Sequence, residues 1–139
     1  MGNKNVPETK KIGNLGEGIA TRYLKSKGFS VIARNYTKKF GEMIDIIAQK
    51  HGTIHFVEVK TVSREIFDVN QKNVSRETDE YAPEDNIHPW KIKRMVRTAE
   101  AYLVEMAPEG EVEWQCDAIA ILLDIGRRRS VVRMTEHIV

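Results

Sequence analysis

Two acids and a lysine, Asp45, Glu58 and Lys60, are spaced so that a β-hairpin would bring them together. In an extended Thr53–Val62 segment, period two puts Glu58 and Lys60 on one face, with Ile54 and Phe56 along the same row. Before it runs a short apolar stretch, Ile44 to Gln49, and between the two lies His51-Gly52, suited to a two-residue hairpin turn. If Lys50 pairs with Thr53, counting back sets Asp45 directly opposite Glu58. Residues so paired have Cβ atoms about 4.5–5.5 Å apart, so both carboxylates can reach one ion. Without a cation they repel, and one pKa rises. A hard divalent ion such as Mg²⁺ suits an oxygen-rich, incompletely filled site that keeps several waters. Lys60 beside it can position an attacking water or steady charge developing on a phosphate. The competing reading is a cross-strand ion cluster on a solvent face, because E-x-K alone has little specificity. The surrounding Ile, Phe and Val argue for burial, where one lysine does not satisfy two acids.

Those strands need a scaffold. Leu15, Ile19, Tyr23 and Leu24 recur at helical spacing between Asn14 and Lys27, and Gly28 is a natural stop. Phe29 to Tyr36 reads as a first strand, Lys38 to Gly41 as a turn, and the two runs described above as the second and third strands of an antiparallel meander. Pro89 opens a second helix, whose stripe is Ile92, Met95, Val96, Ala99, Tyr102, Leu103 and Met106. Val112–Leu123 and Ser130–Val139 read as two further strands. The expected fold class is α/β, a mixed β-sheet flanked by helices in the order α-β-β-β-α-β-β. Residues 1–12 read as a flexible N-terminal tail, and 13–139 as a single domain interrupted by a polar, acidic loop at 63–88.

The chain has 139 residues, enough for one two-layer core, and its apolar share of 41% excludes wholesale disorder. A net charge of +2 permits nucleic-acid binding without arguing for it. One cysteine, Cys116, excludes an internal disulfide framework and a cysteine-based zinc site, and reads as a small packed apolar residue. His51, His55, His88 and His137 show no ligand spacing. With no signal-like or membrane-spanning apolar run, the expectation is a cytoplasmic protein with no membrane partner.

Gly16-Glu17-x-x-Ala20-x-x-Tyr23-Leu24, Gly28-Phe29, Arg34-Asn35-Tyr36, Gly41-Glu42, Ile44-Asp45-Ile46-Ile47-Ala48 and Phe56-Val57-Glu58-Val59-Lys60-Thr61 together resemble the YraN-like family of small bacterial proteins. That family belongs to the PD-(D/E)xK, or restriction-endonuclease-like, nuclease superfamily, which also includes archaeal Holliday-junction resolvases. The resemblance runs from about Gly13 to the last strand. It implies that Asp45 and Glu58 are metal ligands with the Val59 carbonyl as a third, that Lys60 is the catalytic lysine, and that Glu17 is a helical acid approaching the same ion. The implied cofactor is Mg²⁺ or Mn²⁺, and a homodimer is the common assembly of such nucleases. Two departures stand out. This chain reads Gly-Glu-Met-Ile-Asp where the family reads Gly-Glu-Ile-Asp, an extra residue that a bulge can absorb. It also reads Gln115-Cys116-Asp117 where the family favours Arg-Phe-Asp.

Helical spacing puts Glu17 on one stripe with Ala20 and Leu24, at the flank of the apolar face. An acid in a first turn is equally favoured by the helix dipole. Lys91, Arg94, Lys38 and Lys39 are the candidate phosphate contacts, with solvated surfaces as the simpler account. Trp90 reads as a helix-start anchor or a base-stacking ring. The leading expectation is a metal-dependent endonuclease cleaving DNA, branched or junction DNA among the candidates. Its alternative is a non-catalytic module on the same fold that binds nucleic acid or docks a protein; a structural subunit is a third.

Overall fold

Helix α1 spans Glu8–Ser26 in the computed structural model, which describes residues 8–38, 42–64 and 87–139. It starts six residues before the Asn14 suggested by apolar spacing, so residues 8–12, expected in the tail, are helical. Its end is the expected one. Gly28 adopts φ +92°, and the amides of Lys27, Gly28 and Phe29 turn back onto the last-turn carbonyls of Tyr23, Lys25 and Leu24.

Strands β1 (Ser30–Tyr36), β2 (Ile44–Lys50) and β3 (Thr53–Ser63) form the antiparallel meander. His51 and Gly52, at φ +51° and +80°, make the two-residue turn, and Lys50 pairs with Thr53 as the hairpin count requires. Helix α2 (Pro89–Met106) follows, its first turn capped by the His88 side chain, which accepts from the Trp90 amide. Strand β4 (Trp114–Asp124) then runs parallel to β3, and β5 (Arg129–Thr135) closes the sheet antiparallel to β4. Lateral order equals chain order, β1 to β5, so the element order α-β-β-β-α-β-β and the mixed sheet are as expected. β5 stops at Thr135, short of the expected Val139.

The two helices cover the two faces. Ala20 and Leu24 of α1 pack on Ile46, Ala48, Val57, Ile119 and Ile121. Met95, Ala99 and Tyr102 of α2 pack on Ile47, Ile54, Phe56 and Cys116. Double coverage explains why β2, β3 and β4 read as nearly continuous apolar runs. Burial pushes the Cys116 thiol up to about 12, aided by the Asp117 charge, so it behaves as the packed apolar residue expected. Met106 and Trp90 depart from expectation at 62% and 61% exposure: the apolar stripe of α2 leaves the core before its last turn, and Trp90 is largely exposed at its start. The irregular pairing between β1 and β2 falls in β1, between Val31 and Ala33. Among the described residues no helix is long and apolar enough to cross a membrane. Residues 65–86, most of the acidic loop, and Lys39 lie outside the described residues.

Candidate functional site

The β2–β3 ladder is paired from Lys50–Thr53 through Ile46–Val57, and one further step sets Asp45 across from Glu58. There the side chain replaces the backbone as acceptor: Val59 N–H donates to Asp45 Oδ2 at 2.7 Å. Glu58 is 5% exposed, and its Oε2 lies 2.5 Å from Lys91 Nζ on α2. Burial, then the neighbouring Glu58 carboxyl as hydrogen-bonding group and as charge, push Asp45 up to about 8, against the downward pull of the Val59 amide and Lys91. On Lys91, burial acts to lower the pKa. The Glu58 bond and the charges of Glu58, Asp45 and Glu42 outweigh it, and the net shift is upward. At neutral pH Asp45 therefore holds its proton, and the Lys91 ammonium pairs with Glu58.

Lys60 follows Glu58 on the same side of β3 and is exposed, with no ion-pair partner among the described residues. Glu17, one residue after the tightly packed Gly16, is 9% exposed and lines a 460 Å³ cavity with Asp45, Val59, Asn14 and Asn35. It is held by Arg34, whose Nη2 and Nε lie 3.1 and 3.2 Å from Glu17 Oε1. Asp45, Glu58, Lys91, Val59 and Glu17 thus surround one end of β2. Arg94 stands 3.7 Å from Glu42 and joins Lys91 and Glu42 around a neighbouring cavity of 290 Å³. Lys38 instead pairs with Glu105 near the far end of α2, about 20 Å along the helix from Lys91.

Folding brings together two things that spacing alone could not. The Lys91–Glu58 pair joins α2 to β3, and the signal for it was only a basic residue off the apolar stripe. His55, Asp117 and Glu136 form a group whose ligand-type atoms lie within 4.8 Å of one another, able to hold a metal ion. The sequence reading found no ligand spacing for His55, because its neighbours come from other strands.

The Asp45 shift carries a consequence for stability. Between its ordinary value of 3.8 and about 8, folded Asp45 keeps a proton that the unfolded chain has lost. Raising pH through that window therefore penalises the folded state, on the order of a few kcal/mol for a partly exposed group. The metal-free protein is expected to melt at a temperature that falls, relative to Asp45→Asn, between about pH 4 and about pH 8. Parallel melting curves for the two proteins would refute this.

A sequence profile for the uncharacterised protein family UPF0102 matches residues 16–121, a span that includes every residue of the Asp45 site. Among similar proteins, a UPF0102 protein of Chlorobium phaeobacteroides is 36% identical over 112 residues, covering 81% of this chain and 76% of its own. One from Helicobacter pylori is 39% identical over 99 residues, covering 71% and 72%. One from Campylobacter jejuni is 35% identical over 113 residues, covering 81% and 85%.

Proposed function

This chain belongs to the uncharacterised protein family UPF0102, the YraN-like family of the restriction-endonuclease-like superfamily, and from that premise we propose that it is a divalent-metal-dependent endonuclease acting on DNA. One observation carries the reading: two acids, one of them almost wholly buried, meet at the end of β2 and among the described residues are neutralised by one proton and one lysine. The donor set, all carboxylate oxygen with the Val59 carbonyl in addition, fits a hard ion such as Mg²⁺ or Mn²⁺.

An ion so held supplies Lewis acidity toward a phosphodiester and acidifies water near it. The chain's own residues prepare for that. Asp45 and Glu58 would hold the ion, Asp45 releasing its proton to solvent, and Lys91, with Arg94 beside it, would then be available to phosphate oxygens. Exposed Lys60 faces the substrate side, where it orients the nucleophile and offsets charge on the phosphate. Glu17, held by Arg34, keeps an acid at the α1 wall of the cavity.

The second reading is a non-catalytic DNA-binding or protein-docking module. It is favoured by the same closed pair, since Lys91 already satisfies Glu58, and by a net charge of only +2. Labelled linear and branched DNA, incubated with the protein and Mg²⁺, Mn²⁺ or excess chelator, separates the two. The nuclease reading expects cleavage with either ion and none with chelator. DNA binding with neither cleavage nor measurable ion binding leaves the module. Sedimentation on the same samples tests the homodimer that nucleases of this kind commonly form.

A further inference from the structure

Two neighbouring strands and the residue that follows a third each contribute one metal-ligating side chain at the same level of the sheet. His55 lies in β3 and Asp117 in β4, where the parallel register pairs His55 with Gln115 and Val57 with Asp117. The β4–β5 ladder ends at Ala118–Thr135, and one step further brings Glu136 beside Asp117. We propose that His55, Asp117 and Glu136 form a second metal site, one for a borderline transition ion of the Zn²⁺ or Co²⁺ type.

Each residue is built into place. Asp117 is 0% exposed, and its Oδ2 lies 2.6 Å from His55 Nδ1. Its Oδ1 accepts from the His137 amide at 3.0 Å and from Gln115 Nε2 at 2.8 Å. The same amide group donates to Glu136 Oε1 at 3.0 Å, so one glutamine holds both carboxylates in position. Phe29 packs edge-on against the His55 ring, with centroids 4.9 Å apart. A metal ion held by Nδ1 and Oδ2 would take the place of the proton between them, which is released to solvent. His55 is 5% exposed and lines a cavity of 440 Å³ together with Glu136.

Charge points the same way. Lys27 and Lys50 also line this cavity, yet neither pairs with Asp117 or Glu136. They stand over the Tyr23 and Phe29 rings, 5.6 and 5.0 Å from the centroids. Among the described residues the two acids are therefore linked to an imidazole and to amides, with no ammonium between them. One imidazole nitrogen and two carboxylates match the mixed ligand set of zinc-type ions, whereas Mg²⁺ prefers the all-oxygen set at Asp45 and Glu58. The two sites are thus separable by ligand chemistry.

The test uses untagged protein carrying Asp45→Asn and Glu58→Gln, which removes the all-oxygen site. Calorimetry with Zn²⁺ and the visible spectrum with Co²⁺ read binding; proton NMR reads paramagnetic shifts on histidine rings. The expected result is one ion per chain, with the His55 ring signals moved by Co²⁺. Adding Glu136→Gln, a change at an exposed side chain, is expected to weaken binding by roughly 10- to 100-fold. His55→Gln should abolish it, with the melt of each metal-free variant confirming that the fold is kept. No binding, or binding indifferent to Glu136→Gln, overturns the proposal and leaves a buried His–Asp pair that serves packing alone.

Discussion

Glu58→Gln is expected to lower metal-dependent DNA cleavage on the order of 10³-fold while leaving the fold intact. The substitution keeps side-chain shape, and the amide oxygen can still accept from Lys91, 2.5 Å from the present carboxylate. What it removes is one of the two carboxylates proposed to hold the ion. It also removes the charge that helps to raise Asp45, so the pH-dependent loss of stability described above should shrink in the same variant. Asp45→Asn should match it in cleavage. Lys60→Met should cost less in ion binding than in cleavage, because Lys60 is exposed and lies beside the acids rather than among them. Calorimetry with Mg²⁺ or Mn²⁺, read alongside cleavage of labelled DNA, separates these effects. Full, chelator-sensitive cleavage by Glu58→Gln would place the working ion elsewhere, and the His55 group would become the first alternative.

Gly16→Ala is expected to destabilise the protein by about 3 kcal/mol, against the usual preference of helices for alanine. A Cβ at Gly16 would lie 1.8 Å from Thr61 Oγ1 and 2.7 Å from Thr61 Cβ and Cγ2. Thr61 is β-branched and held in β3, so it has little rotamer freedom with which to yield. Among the described residues its Oγ1 is buried without a partner, another sign that helix and strand touch here. Relief requires α1 to lift from the sheet, and Glu17, the next residue, would lift with it out of the cavity shared with Asp45. Gly18→Ala supplies the control. Its added Cβ would meet only Arg22 Nη1 at 3.9 Å, so the helix-propensity gain of up to about 1 kcal/mol should appear undiminished. Urea unfolding of the two variants should give opposite signs. A neutral or stabilising Gly16→Ala would mean that α1 does not approach Thr61 this closely in solution.

Element types, their order and the facing of Asp45 and Glu58 were legible from residue spacing. A two-residue turn sets the register of an antiparallel pair within a few positions of the chain, and His51-Gly52 leaves little choice about it. The double apolar coverage of β3 likewise showed in its composition, and α2 in its stripe. Helix α1 began earlier than its stripe because its first turns are exposed, so they carry no apolar period. The Glu17–Arg34 pair was not legible, since its members come from separate elements whose docking angle is set by Gly16 against Thr61. The Lys91–Glu58 pair depended on how α2 is rotated over the sheet.

The His55–Asp117–Glu136 group lay furthest from the reach of spacing. Sequence alone determined which chemistry the β2–β3 hairpin could present, because its register is decided locally. Only the tertiary structure decided what closes that chemistry and what lies beside it. Parallel pairing of β3 with β4 has no turn to set its register, and is fixed instead by the packing of two helices against opposite faces of the sheet.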